Sequence, residues 1–308
     1  MPSPPSELTS CYDSLSSRML AFPQERGREM DRLNKRATGR SKMRLAAGTI
    51  YYSLLRYLRW HRSGPFAKEY PDILLPEVQF SHATPLLRQL HGLEMQLQYN
   101  KVTNLRLACA KVNGILLHPG ETFSYWKTIG KPTARKGYLP GMVLVGGQVT
   151  AGVGGGLCQL SNLIFWMTLH TPLTVTERHH HGYDVFPDSN RTQPFGSGAT
   201  CFYPYVDLMI RNDTDKDFQL CVRVKKDKLC GEWRSTQPPE LQYEIVEKNH
   251  SIRGEYWGGF TRHNELWRKV FRANGDCLGE EFITENHVLM MYEPFLSDRS
   301  SASRNDRA

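Results

Sequence analysis

The sequence has no apolar run long enough to cross a bilayer. The longest, Leu45 to Leu55, is bounded by Arg44 and Arg56, whereas about 20 residues are needed to span the hydrocarbon layer. Met1 to Leu20 carries Pro and Ser but no continuous apolar stretch, so no secretory leader is expected. CxxC spacing is missing too. The seven cysteines, Cys11, Cys109, Cys158, Cys201, Cys221, Cys230 and Cys277, are an odd number. A chain of 308 residues can bury a core without disulfide staples, so the cysteines fit a reducing compartment. The expected location is the cytoplasm, or the periphery of the inner membrane face. No internal repeat is evident. With 40% hydrophobic and 23% charged residues, a collagen, a coiled-coil rod and a wholly disordered chain are all excluded.

Acidic residues are scarce at the N-terminal end. Residues 1–65 hold 12 Lys+Arg against 5 Asp+Glu, a balance of +7, and the other 243 hold 27 against 26, a balance of +1. An electrostatic partner would therefore meet the N-terminal segment. Residues 43–62 there read as an amphipathic basic helix. Ala47, Ile50, Leu54 and Leu58 share one face, and Arg44, Arg56, Arg59 and Arg62 share the other. Two readings stand open. The apolar face docks on the protein's own body, or the helix lies on an anionic membrane surface with Tyr51, Tyr57 and Trp60 near the interface. Nucleic acid is not favoured, because the basic stretch from Lys35 to Arg44 lacks the pattern of a binding module.

The expected fold is α+β: N-terminal helices, a Cys-bearing helix packed on an antiparallel sheet, and an all-β C-terminal part. The parts are a disordered basic segment over 1–40, the helix and a linker over 41–78, a core over 79–215, a β-rich region over 216–296 and a polar tail over 297–308. Within the core, the pattern predicts a helix from about Asn104 to Leu117, with Leu105, Ala108, Cys109, Val112 and Leu116 buried. A strand follows through Thr122 to Tyr125, then a hairpin of Met142–Val145 and Gln148–Thr150 turning at Gly146-Gly147. A helix from about Leu157 to His170 and a strand from Leu173 to Arg178 come next. Beyond Pro204 the expected strands are Asp207–Asn212, Phe218–Val224, Leu229–Trp233, Tyr243–Lys248, Leu266–Arg272 and His287–Tyr292.

The chemistry-bearing stretch is Gly154-Gly155-Gly156-Leu157-Cys158-Gln159-Leu160-Ser161-Asn162. Three glycines allow positive φ and close approach of a ligand. Cys158 falls in the first helical turn, where free N–H groups and the helix dipole favour its thiolate and could hold an oxyanion. Ser161 and Asn162 share its face. Gly154, Gly155, Gly156, Gln159, Ser161 and Asn162 are thus the substrate-binding candidates. Downstream, Glu177-Arg178-His179-His180-His181-Gly182-Tyr183-Asp184 puts His179 and His181 on one side of an extended segment. Either could come level with Cys158 as a thiolate–imidazolium pair, with a carboxylate or amide to orient the ring. Three readings of Cys158 remain: a nucleophile, a small apolar residue at a tight helix start, or a metal ligand. The last is weakened by the lack of a second close ligand pair on the helix. No metal and no cofactor is expected. The other six cysteines read as core or tail residues.

These motifs resemble those of the VanW family, accessory proteins of glycopeptide resistance clusters. The matching blocks are Tyr99-Asn100-Lys101-Val102 with Asn104-Leu105, Pro119 to Ser124, Gly154 to Asn162, His170 to Thr174, Glu177-Arg178 with His181, Ala199-Thr200, and Asp207-Leu208 with Arg211 to Thr214. They run colinearly over roughly 115 residues. The resemblance implies a role beside enzymes that replace D-Ala-D-Ala termini, with a cell-wall peptide or precursor as partner. It also favours His181 over His179 as the base. Two positions depart from the family pattern: Gly182 stands where Ser is usual, and Gly198 where Asp is usual. If that Asp orients the histidine, Asp184, Asp188 and Asp207 are the nearby substitutes. The implied chemistry is acyl transfer or amide hydrolysis by Cys158 with His181. The competing reading is a non-catalytic precursor-binding or scaffold protein.

Overall fold

The computed structural model describes residues 41–87, 95–145, 148–185, 193–256 and 258–294. Residues 1–40, the Gly146-Gly147 turn, Asp188, Trp257 and the tail over 297–308 lie outside the described residues. The chain divides into two units, residues 1–55 and residues 56–308.

Helix α1 spans Lys42–Arg62. Within the first unit Leu45, Ile50, Tyr51 and Leu54 are all exposed. In the second unit Leu58 is exposed as well, while Arg56 and Trp60 are buried. Arg56 is buried because it finds a buried carboxylate, while Arg59 and Arg62 beside it stay exposed.

Within residues 56–308, strand β1 (Glu77–Pro85) joins β2 (Ile115–Leu117), β9 (Phe218–Lys225) and β10 (Lys228–Ser235) in one antiparallel sheet of order β1-β10-β9-β2. A second sheet holds β3 (Thr122–Ser124), β8 (Met209–Arg211) and β6 (Thr174–Glu177) in that order. Strands β4 (Pro140–Val145) and β5 (Gln148–Val153) form a hairpin. Long strands β11 (Leu241–Gly254), β12 (Phe260–Arg272) and β13 (Cys277–Met290) build the C-terminal meander, with short β7 (Tyr183–Asp184) parallel to the end of β13. The fold is mixed α+β, with helices on antiparallel sheets and a β-rich C-terminal part.

Helix α2 runs Met95–Val112, starting earlier than Asn104 and ending before Leu117. Gly114, at φ +87°, turns the chain so that Ile115–Leu117 leaves as a strand. Leu105, Ala108, Cys109 and Val112 are buried as their spacing requires. Tyr125 opens a short helix α3 (Tyr125–Ile129) rather than closing a strand, because the Ser124 side chain accepts from the Lys127 N–H as an N-cap. Helix α4 (Cys158–Thr168) buries Leu160, Leu163, Ile164, Phe165 and Met167 against β1 and β10. A Cβ on Gly231 of β10 would sit 2.6 Å from Met167 Cε, so this glycine sets how closely α4 lies on the sheet. Trp233, fully buried, donates its Nε1–H to Thr168 Oγ1 at 3.1 Å.

The turn before α4 is a close packing of two backbones. A Cβ built on Gly155 would overlap the Gly141 carbonyl of β4, and one on Gly141 would overlap Gly155. Asn104 of α2 holds the turn: its side-chain N–H donates to the Gly155 and Leu139 carbonyls at 2.9 Å, and its Oδ1 accepts from the Leu139 N–H at 2.8 Å. Gly155→Ala is expected to destabilise the protein by roughly 2–3 kcal/mol, as overpacking does. Gly182→Ala, with nothing within 4 Å, should stay within about 0.5 kcal/mol. Urea unfolding of the two variants checks the difference.

Candidate functional site

Cys158 begins α4 at its first turn and retains some solvent exposure. Its sulfur meets the segment Ala199–Thr200–Cys201. Cys201 Sγ lies 3.6 Å from Cys158 Sγ, and Thr200 Oγ1 lies 3.9 Å from it. The Cys158 sulfur also lies 3.6 Å from the Cys201 carbonyl oxygen. Two side chains of α4 hold this segment in place. Asn162 Oδ1 accepts from the Ala199 N–H at 2.7 Å, and Ser161 Oγ donates to the Ala199 carbonyl at 2.6 Å. Both backbone polar groups of a fully buried residue are thereby satisfied. On its other side Thr200 donates its N–H to the His179 carbonyl at 2.8 Å.

The two thiols are unlike. The hydrogen bond from the Cys201 thiol lowers the Cys158 pKa; burial opposes it, and backbone groups and Thr200 assist, bringing Cys158 to about 6. Cys201 is pushed well up, first by burial and then by the neighbouring Cys158 sulfur. Cys109, buried in the core, is raised to about 12 by burial alone. Cys158 is thus the thiol prepared to ionise near neutral pH, at a helix start where the dipole favours the anion.

The histidines stand elsewhere. Among the described residues, the polar partners of the Cys158 sulfur are Thr200 and Cys201, and no histidine nitrogen is within hydrogen-bond reach of it. His179 Nε2 lies 3.0 Å from Glu177 Oε1. His181 is half-buried, its pKa lowered first by burial and then by the charges of His180 and Arg178. Asp184 receives the Tyr292 hydroxyl at 3.0 Å and faces Arg262 at 3.5 Å. Asp207 accepts from Ser124 Oγ at 2.6 Å and from the Trp126 and Leu208 N–H groups at 2.9 Å. The candidate binding residues make contacts within the protein. Gln159 donates to Thr84 Oγ1 and the Pro85 carbonyl. Gly154 packs on Pro132, Gly155 on Gly141 and Gly156 on the Lys101 side chain. A Cβ on Gly198 would come 2.8 Å from Asn162 Oδ1, so this glycine leaves room for the clamp on Ala199.

Two parts of the site escaped the sequence reading. Cys201 was grouped with core and tail cysteines, although it directly follows the Ala199-Thr200 block. Glu177 was a motif letter, and in the structure it is a buried ionic centre. Its carboxylate takes both terminal nitrogens of Arg56 and lies 2.7 Å from Arg59 and 3.0 Å from His179. Arg56 also donates to the Tyr205 carbonyl at 2.8 Å.

An α+β protein with an ionisable thiol at a helix start, backed by a second thiol on a clamped segment, is the class that fold and site define. A family model described as VanW like protein matches residues 100–234. Vancomycin B-type resistance protein VanW of Enterococcus faecalis is 37% identical over 228 residues, covering 74% of this chain and 82% of that protein. Uncharacterized protein YoaR of Bacillus subtilis is 28% identical over 175 residues, covering 55% of each chain. No solved structure gives a significant match. The chain belongs to the VanW-like family.

The Glu177 cluster carries a pH signature. Burial raises its pKa, but hydrogen bonds from His179 and Arg56 and the charges of Arg56 and Arg59 outweigh it and bring it to about 2, from 4.5. The ionised form therefore stabilises the fold above about pH 4.5, and that contribution, on the order of 3 kcal/mol, is lost as pH falls toward 2. Glu177→Gln should lower neutral-pH stability by about 3–5 kcal/mol, because it strands the buried Arg56 charge. Its stability should also change less than wild type below pH 4.5. Thermal melts from pH 2 to 7 check both.

Proposed function

We propose that this protein is an accessory factor of vancomycin resistance that works through the Cys158 thiolate, in acyl transfer or amide hydrolysis on a cell-wall peptide or precursor. The resistance part rests on the family and on the relative named for vancomycin resistance. One observation carries the chemical part: Cys158 is partly exposed at the first turn of α4, with a neighbouring thiol lowering its pKa to about 6. A sulfur already ionised at neutral pH attacks a carbonyl carbon without a base to deprotonate it. The oxyanion of the tetrahedral adduct would sit against the Cys158 N–H, since the Gln159 and Leu160 N–H groups already donate to Gly156 and Leu157. The proton for the leaving amine would have to come from water, from Cys201, or from a histidine drawn in by the bound substrate.

A second reading, a non-catalytic precursor-binding or scaffold protein, is favoured by a separate observation. The side chains of Gln159, Ser161 and Asn162 already bond within the protein, to Thr84, Ala199 and neighbouring backbone. Cys158 would then be kept for its size. Replacement of Cys158 by Ala and by Ser separates the two. The acyl-transfer reading expects both variants, in a host that depends on this protein, to lose resistance and to lose labelling by a thiol-selective probe at pH 7. Full resistance from both variants would remove that reading and leave the scaffold.

A further inference from the structure

We propose that Cys158 and Cys201 form a dithiol–disulfide exchange site, whose substrate class is an accessible disulfide of a small thiol or of a protein. This goes beyond the acyl-transfer reading and does not depend on it. The sulfurs lie 3.6 Å apart, in van der Waals contact, and a disulfide bond is about 2 Å long, so closure needs an approach of about 1.5 Å. They come from segments 43 residues apart in sequence, and both residues keep some solvent exposure. The contact is imposed by the fold. Ser161 and Asn162 hold both polar groups of Ala199, and Thr200 is bridged to His179, so Cys201 cannot drift far from the start of α4. Ser161 Oγ also comes within 3.5 Å of Cys201 Sγ. Among the described residues, no other two cysteine sulfurs are in contact.

The roles follow from the asymmetry of the pair. Cys158, at the helix start and the more acidic thiol, attacks one sulfur of the incoming disulfide. The S–S bond of the substrate breaks, its other sulfur leaves as a thiolate, and Cys158 is held in a mixed disulfide. Cys201 resists ionisation partly because it faces the Cys158 sulfur. The mixed disulfide removes that negative charge, and Cys201 gives its proton to the departing thiolate. Its sulfur then attacks Cys158 Sγ, expelling the second substrate thiolate and closing the Cys158–Cys201 bond. The protein pair loses two electrons, and the substrate disulfide gains them as one thiol and one thiolate.

The test uses the full-length protein with oxidised glutathione as the probe, followed by alkylation of free thiols and peptide mapping without reductant. Wild type should yield the Cys158–Cys201 cross-linked peptide, and dithiothreitol should restore both thiols. Cys201→Ala should stop at a glutathione adduct on Cys158, and Cys158→Ala should lose the cross-link completely. Three wild-type results overturn the proposal: a lasting glutathione adduct on Cys158, no modification of either residue, or a cross-link from Cys158 to another cysteine. The wild-type arm decides by itself, so a variant that fails to fold cannot rescue the idea. Failure here leaves the acyl-transfer reading standing, since that needs no disulfide between the two thiols.

Discussion

The backbones of β4 and of the glycine turn before α4 lie so close that neither Gly141 nor Gly155 has room for a Cβ. That contact fixes where α4 starts, and with it the position of Cys158. Asn104 makes the contact durable by spending all three of its bonds on Leu139 and Gly155. The glycines therefore act first as spacers between packed backbones, with Pro132 and the Lys101 stem filling the space beside Gly154 and Gly156. At the head of α4 the Gln159 and Leu160 N–H groups donate to the Gly156 and Leu157 carbonyls, and the low pKa of the sulfur rests first on the Cys201 thiol, with backbone groups and Thr200 assisting.

A second constraint places the partner of that sulfur. Ala199 is fully buried with its N–H and carbonyl both taken by α4. Arg178 extends the hold: it donates to the Gly198 and Gly196 carbonyls and reaches Thr284 and Asn286 on β13. Its neighbour Glu177 is locked by Arg56 and Arg59. The strand end that bears His179 is thus pinned between a buried ion cluster and the C-terminal meander. An element of such rigidity keeps two thiols in contact at little entropic cost to either.

Much of this was legible in the residues. The glycine run, the apolar pattern after it and the break at Thr171-Pro172 predict a helix beginning near Cys158, and α4 starts there. The β-rich C-terminal part follows from alternation and turn residues, although β11, β12 and β13 run longer than the local pattern implies because they pair with one another. What was hidden depends on distant partners. The period of α1 shows a helix, but only Glu177, 121 residues from Arg56, explains why that one arginine is buried. Strand length arithmetic allows a histidine to come level with Cys158. It cannot see that Glu177 takes the His179 ring, or that the Asn162 and Ser161 side chains turn inward to Ala199 and bring Cys201 instead.

The central claim is that contact with Cys201 makes Cys158 an acidic thiol. Ultraviolet titration of thiolate absorbance near 240 nm, in a background where Cys158 is compared with its Cys201→Ala variant, measures this directly. The account predicts a thiol ionising near pH 6 in the wild-type protein, shifted upward by at least about one pH unit when Cys201 is replaced. A Cys158 that ionises with the same midpoint in both proteins, or only near the ordinary thiol value in the wild type, would contradict it.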